Sequence, residues 1–478
     1  MGSGIAQLAV AAGFETRLHD PDQQALFKGT SALRDGLDKL GQKGRLGGTA
    51  DEAFGRLRPA AALNELAGCE LVIEAAPERP ELKRELFSQL SEICGEETVL
   101  ATNTSSIPVT SLAGAAARPE NVVGMHFFNP PPLMKLLEVI PADQTGEHAL
   151  AMATATGEAM QRRVIVAADG PGFLVNRCGR PFGAEALRIV QEGLATPAQV
   201  DRICRVGGDF RMGPFELMDL VGIDVGLEVA KSFTELSFGE PRWKPSPLQA
   251  RMVAAGRLGR KTGRGWYEYG EGAHRPDDPE PLEAKGEAPP VCLRGVPVQL
   301  RARALELGLK IDAEGAPELV SCRRASLAEQ WGSADAVGIM VGPPMATARL
   351  AELTRTPATS DASCLTAEAF LTALGLHTEW VGDSPGLVLR RIVCQLVNEA
   401  AFAVAEGVGS PEDVDAGVTL GLNHPRGPFE WSELLTPDMV VETIDGLWEE
   451  RHEERYRTAP LLRRAASLGI SLSDAAER

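Results

Sequence analysis

Apolar and polar positions along the chain predict strands and helices in turn. Phe14-Glu-Thr-Arg-Leu-His19 reads as a strand and Leu71-Val-Ile-Glu-Ala-Ala76 as another. A charged helix opening at Pro80-Glu-Leu-Lys-Arg-Glu-Leu-Phe87 and a strand Thr98-Val-Leu-Ala101 follow. Asn121-Val-Val-Gly-Met125 and Lys135-Leu-Leu-Glu-Val-Ile140 are strand-like runs on either side of a proline turn. This alternation, sustained to about residue 168, predicts a parallel sheet covered by helices. From 172 to 194 the pattern becomes helical, and a turn at Gly213-Pro-Phe-Glu216 starts another helix. The segment closes on Gly259-Arg-Lys-Thr-Gly-Arg-Gly-Trp-Tyr-Glu-Tyr269, and the Pro-, Gly- and acid-rich stretch after it predicts a solvated linker.

Beyond the linker the helical pattern returns. Asp169, Gly172, Arg177, Glu185, Gly213 and Glu216 recur at Asp383, Gly386, Arg391, Glu399, Gly427 and Glu430, always 214 positions on. A constant offset without a gap means that the helical domain is duplicated. Asn176 becomes Arg390 in the second copy. Between the copies, Val296-Pro-Val-Gln-Leu300, Asp335-Ala-Val-Gly-Ile-Met-Val341 and the helical stretch Thr366 to Leu374 have an α/β texture. This segment lacks G-x-G-x-x-G, and Val341-Gly-Pro-Pro-Met345 puts prolines where phosphate-binding amides would be needed. It reads as a degenerate nucleotide-fold remnant without a cofactor.

Composition narrows the field. A chain of 478 residues corresponds to several domains at roughly 150 residues each. Its net charge of −18 argues against nucleic acid as a partner and requires any site for an anionic ligand to be locally basic. The eight cysteines are scattered without C-x-x-C pairs, as expected in a reducing compartment without a metal cluster. No apolar run reaches the roughly 18–20 residues of a membrane span, and no signal peptide precedes the fold, so a cytoplasmic protein is expected.

The candidate chemistry centres on Gly124-Met-His-Phe-Phe-Asn-Pro-Pro-Pro-Leu-Met-Lys-Leu-Leu-Glu-Val-Ile140. Adjacent strands joined by a turn can bring the imidazole of His126 to the carboxylate of Glu138, orienting and charging a general base. A lone histidine in an apolar strand is otherwise a satisfied core residue. Upstream lies the hydroxyl-rich Thr102-Asn-Thr-Ser-Ser106, and downstream the turn Asp169-Gly-Pro-Gly-Phe-Leu-Val-Asn-Arg177. These three segments, in this order and spacing, resemble the 3-hydroxyacyl-CoA dehydrogenase family over residues 1–270.

The amino-terminal end departs from a complete dinucleotide-binding fold. Met1-Gly2-Ser3-Gly4 reads as the end of a glycine fingerprint running into its helix, with the second strand ending at Asp20. The first strand and the first glycines are absent. A buried central strand contributes on the order of 10 kcal/mol, so Met1 is expected to be an internal methionine of a longer chain. A damaged paralogue is the alternative. Asp20, an acid where a 2′-phosphate would need a base, favours NAD over NADP.

The resemblance implies an α/β fold with these parts: a Rossmann-like NAD domain lacking its first strand (1–168), a helical domain (169–270), a linker (271–290), the degenerate α/β segment (291–381) and a second helical domain without the catalytic Asn (382–478). It implies NAD-dependent oxidation of (S)-3-hydroxyacyl-CoA in fatty-acid or aromatic-acid degradation, where tandem forms take substrates resembling 3-hydroxyadipyl-CoA. His126 would be the base, Glu138 its orienter, and Asn176 and Ser105 donors to the substrate oxygen. Gly2, Asp20, Glu78, Lys83, Ser105, Asn129 and Lys261 match cofactor contacts, and Lys43 a CoA phosphate ligand. Family members dimerise through the helical domain, so the chain would be a homodimer or a monomer whose second copy stands in for a partner. A β-hydroxyacid dehydrogenase would need a catalytic lysine instead of the His126/Glu138 pair. A non-catalytic relative would keep the fold without activity, and a hydratase fusion would need a further domain for which there is no room.

Overall fold

Seven strands form in the first 170 residues: β1 Thr16–His19, β2 Leu57–Ala60, β3 Leu71–Glu74, β4 Val99–Thr102, β5 Val122–Phe127, β6 Leu136–Pro141 and β7 Arg163–Val166. In the computed structural model, which describes residues 1–477, β3 to β7 make one sheet in sequence order. Every neighbouring pair is parallel except β5 and β6. Strands β4 and β5 are buried along their whole length, the signature of a parallel sheet covered on both faces. Helix Gly2–Ala11 contributes Ile5 and Leu8 to the same core, and helix Glu147–Ala159 contributes Ala149 and Ala153.

Strands β1 and β2 pair parallel in a separate two-stranded sheet, held by a small core of Ala6, Val10, Leu33, Leu37, Ala53 and Leu57. No strand among the described residues joins β1 to β3, the position of the first strand in a dinucleotide-binding sheet. The first strand starts at Thr16 rather than Phe14 because Phe14 lies exposed before the pairing with β2 begins. The helix expected over 172–194 is shorter, Val175–Gln191, because Gly172 (φ 72°) and Phe173 (φ 51°) take left-handed backbone.

The chain divides into two compact units, residues 1–177 with 407–422 and residues 178–406 with 423 onward. In the second, β8 Cys292–Arg294, β9 Glu318–Ser321, β10 Ala336–Val341, β11 Leu350–Thr354 and β12 His377–Trp380 form a five-stranded sheet in sequence order, parallel except for β10 and β11. Its topology is that of β3 to β7. Segment 291–381 is therefore an ordered copy of the second half of the first sheet, and the duplication runs upstream of the helices. Leu387 (φ 48°) repeats Phe173, and the cis bond Pro343–Pro344 repeats Asn129–Pro130.

Helix Leu389–Ala405 places Arg391, fully buried, against Glu185, Glu192 and the Tyr456 hydroxyl. Arg242 reciprocates with Glu399 at 2.9 Å and lies 3.8 Å over the Phe402 ring. Such desolvated pairs fix orientation more than they add stability. The stretch 271–290 contains no helix or strand, yet it is pinned rather than freely solvated: Asp278 pairs with Arg205 at 2.8 Å, and His274 meets Glu216 at 3.0 Å.

Candidate active site

Antiparallel pairing of β5 with β6 sets His126 directly opposite Glu138. Nδ1 of the buried imidazole lies 2.7 Å from Oε2 of the fully buried carboxylate. The other oxygen, Oε1, accepts from the backbone N–H of Leu174 (3.1 Å) and of Val175 (2.9 Å). Glu138 thus ties the imidazole to the first turn of helix Val175–Gln191, where a carboxylate complements the exposed amides. The next residue on that helix is Asn176. Phe128 and Phe173 flank the imidazole with centroids at 4.6 and 5.9 Å. The chain leading into the helix is anchored by Asp169, whose carboxylate accepts from Val109 and Thr110 N–H at 3.0 and 2.8 Å.

With its carboxylate on Nδ1, His126 keeps the proton on that nitrogen and presents a lone pair at Nε2. Nε2 has no hydrogen-bond partner among the described residues, and neither does the side chain of Asn176. The arrangement can therefore receive a hydroxyl.

Ser105 sits in a loop built around Glu78. That carboxylate accepts from Thr104 Oγ1 (2.5 Å), Ser105 N–H (3.0 Å), Ser106 N–H (3.1 Å) and Ser106 Oγ (2.9 Å). Burial alone would raise its pKa, but Lys83 and these donors hold it below the usual carboxylate value. Lys83 is itself buried between Glu74 at 2.9 Å and Glu78 at 3.2 Å, and Thr102 donates to Glu74 at 2.7 Å. Asn103 accepts from Phe127 N–H at 2.8 Å, fastening the loop to the end of β5. The Ser105 hydroxyl is left without a partner among the described residues. Glu78 and Lys83, expected as cofactor contacts, form the internal frame of this loop, and Lys83 is buried at the start of helix Pro80–Ile93. Glu74 and Thr102 were not anticipated, since a carboxylate at the end of an apolar strand has no distinguishing sequence signal.

The remaining candidates fall in several places. Gly2 opens helix Gly2–Ala11, and a Cβ there would approach only the Ala75 methyl, at 3.9 Å. Asp20 follows β1, and among the described residues only its Oδ1 is engaged, by Asp22 N–H at 2.9 Å. A helix start open to a ligand and a carboxylate with a free oxygen are the groups that hold a pyrophosphate and a ribose diol, so these residues fit a dinucleotide. Asn129 is exposed before its cis proline. Lys43 caps the C-terminal end of helix Gln23–Gln42 in solvent. Lys261 belongs to the second unit and pairs with Asp224 at 2.5 Å.

Helix Pro411–Leu422, read from sequence as part of the second helical copy, belongs to the first compact unit. It lies against the shell of the His126–Glu138 pair. A Cβ on Gly417 would come within 2.7 Å of Val175, and one on Gly421 within 2.9–3.2 Å of Leu136, Val175 and Phe128. Asp413 pairs with Arg163 of β7 at 3.0 Å.

Residues 1–170 match the 3-hydroxyacyl-CoA dehydrogenase NAD-binding domain, and residues 172–269 and 386–472 match the C-terminal domain of the same family. The chain belongs to the 3-hydroxyacyl-CoA dehydrogenase family. It is 33% identical to 3-hydroxyadipyl-CoA dehydrogenase of Escherichia coli K12 over 98% of this chain and 96% of that protein. A crystal structure of 3-hydroxybutyryl-CoA dehydrogenase from Escherichia coli K12 superposes with a TM-score of 0.87 at 32% identity, covering 98% and 96% of the two chains. A probable 3-hydroxybutyryl-CoA dehydrogenase of Deinococcus radiodurans is 41% identical over 56% of this chain and 96% of its own. Family membership makes the chain an NAD-dependent 3-hydroxyacyl-CoA dehydrogenase. No group of three or more His, Cys, Asp or Glu among the described residues could hold a metal ion. No helix among them is long and apolar enough to cross a membrane.

Proposed function

We propose that His126 is the general base for oxidation of the C3 hydroxyl of an (S)-3-hydroxyacyl-CoA. The observation that carries this is its free Nε2, with Nδ1 held at 2.7 Å by a buried glutamate. His126 takes the hydroxyl proton at Nε2, and Glu138 stabilises the imidazolium that results. Ser105 and Asn176, both with unengaged polar groups, donate to the oxygen as it becomes a carbonyl. A bound NAD would supply the hydride acceptor for C3. Gly2 and Asp20 would hold its pyrophosphate and adenosine ribose, Asn129 and Lys261 would make further contacts, and Lys43 would meet a CoA phosphate. Reduction of acetoacetyl-CoA with NADH tests the reading. Turnover is expected, whereas soluble, folded protein inert toward 3-oxoacyl-CoA would leave a non-catalytic relative.

The Arg391–Glu185 and Arg242–Glu399 pairs support a second helical copy that stands in for a dimer partner. Light scattering is then expected to find a monomer. Eight free thiols fit a reducing cytoplasm. The relatives' names differ in their acyl tails, one ending in a methyl group and the other in a carboxylate.

A further inference from the structure

A cavity of about 570 Å³ lies wholly within the second unit, in the range of small-molecule sites, roughly 300–1,000 Å³. The run from Arg180 to Gln191 forms its floor, and helices Ile223–Leu236 and Pro247–Ala254 contribute walls. None of the residues placed in the reaction lines it.

The duplication shows how the first copy opens this space. Gly183, Ala184, Gly226 and Ala230 line it, and 214 positions on the second copy has Val397, Asn398, Val440 and Ile444. These four larger residues are at most 1% exposed. Asn398 also fastens helix Leu389–Ala405 to the start of helix Pro460–Leu468. Its Nδ2 donates to the Arg457 carbonyl at 2.9 Å, and its Oδ1 accepts from Ala459 N–H at 2.8 Å. Ala184 can make neither bond. At Arg180, Leu187 and Met218 the trend reverses, because the second copy has the smaller Cys394, Ala401 and Ser432. Interiors pack closely, so the first copy has exchanged packed side chains for an accessible space with a cation and apolar walls.

The charges indicate what the ligand carries. Arg180, Arg188, Lys244 and Arg455 line the cavity against Glu453 and Glu454, a local excess of positive charge in a chain of net charge −18. Arg188 and Arg455 are engaged by Glu453. Arg180 makes no hydrogen bond or ion pair among the described residues, and its Nε is buried without a partner. Its guanidinium lies 4.5 Å over the Phe233 ring. Burial pulls its pKa down to about 10; Glu399 opposes this, but is itself held by Arg242 at 2.9 Å. Lys244 is exposed and has no ion pair among the described residues. A desolvated guanidinium without a bonded counter-ion is costly, and a carboxylate matches its planar fork. We propose that this cavity binds a free aliphatic carboxylate, its acid group on Arg180 with Lys244 at the mouth, and its chain against Leu187 and Met218.

Titration calorimetry of the full chain with octanoate, 1-octanol and inorganic phosphate tests this. One octanoate per chain is expected, with octanol and phosphate each bound at least about tenfold more weakly, since each lacks one half of the recognition. Arg180→Leu is expected to weaken octanoate binding by about 10- to 100-fold, the worth of a hydrogen bond to a charged group. Arg180→Lys, which keeps the charge, should recover part of that loss. Ala230→Ile restores the second copy's side chain and should weaken octanoate binding without touching a charge. Circular dichroism checks that each variant is folded, and if Arg180→Leu does not fold, Arg180→Lys and Ala230→Ile decide. An unmodified protein that binds no octanoate overturns the proposal. So does octanol bound as tightly as octanoate, which would leave Arg180 without a role, or phosphate bound as tightly, which would leave the apolar walls without one. Octanoate that is displaced by acetoacetyl-CoA and bound unchanged by Ala230→Ile would lie in the substrate site, and that result overturns it as well.

Discussion

The two copies of the β-hairpin and helix make an internal control. In the first, Glu138 gives one oxygen to His126 and the other to two backbone amides. In the second, Glu352 faces the equivalent amides of Val388 and Leu389, at 2.7 and 3.2 Å, and gives one oxygen to each. Met340 stands where His126 does, and Arg390 where Asn176 does. The space they enclose with Trp431 is about 10 Å³, barely the roughly 10–15 Å³ that holds one water. Capping the helix and orienting a base are therefore separable duties of one glutamate. The second copy keeps the first duty and has lost the second. Burial pushes the Glu352 carboxyl up to about 8, its two amide donors only partly offsetting desolvation.

Matched substitutions in the copies break or sharpen this contrast. His126→Ala is expected to lose about 10²–10⁴-fold in turnover, the usual worth of a positioned base, while Met340→Ala leaves it unchanged. Steady-state NADH kinetics decide, and a loss below tenfold in the first would remove His126 from the mechanism. Gly421→Val forces a side chain onto Leu136, Val175 and Phe128, and turnover is expected to fall by roughly tenfold as the shell around His126 shifts. The equivalent Gly207→Val, whose Cβ has 3.5 Å or more to Leu389 and Leu350, should not slow the reaction.

A smaller effect is expected from the pH dependence of Glu352. Glu352 binds its proton more tightly folded than unfolded, so its contribution to stability is complete below an unfolded pKa near 4.5 and is lost as pH rises toward about 8. Glu352→Gln keeps an acceptor for one of the two amides and cannot ionise. Relative to the unmodified protein it should gain stability progressively from pH 5 to 8, on the order of a few kcal/mol. A difference in thermal midpoint that does not change with pH would refute this. The smallest effect is expected at Arg390→Asn, which removes bonds to Thr443 (3.0 Å) and the Met439 carbonyl (3.3 Å) and should leave the chemical step alone. A large fall in turnover of folded protein would show that the second copy still serves catalysis.

Much of the first copy was legible because its signals are local. Alternation placed His126 and Glu138 on neighbouring strands, and with a period of two the antiparallel register then sets them on one face. The constant offset exposed the helical repeat because glycines, prolines and buried charges at helix ends tolerate few replacements. The same repeat in β10 and β11 was missed, and the segment read as a remnant. Glu352 stands 214 positions after Glu138, the offset of the helices, but apolar strand residues exchange freely while volume is kept, so only the fold shows that the segment is an ordered copy.

The sequence by itself determined the strand and helix order, the His126–Glu138 pairing, the acid after β1 and the duplication of the helices, because each rests on periodicity or on residues whose backbone or charge requirements are local. Only the tertiary structure decided that helix Pro411–Leu422 packs with the first unit, that Glu138 spends its second oxygen on the helix carrying Asn176, and that Lys83 is buried within the Ser105 loop. These depend on packing between segments up to hundreds of residues apart. There the deciding quantities are the space a glycine leaves and the number of donors around a buried carboxylate, neither of which is written in the neighbouring residues.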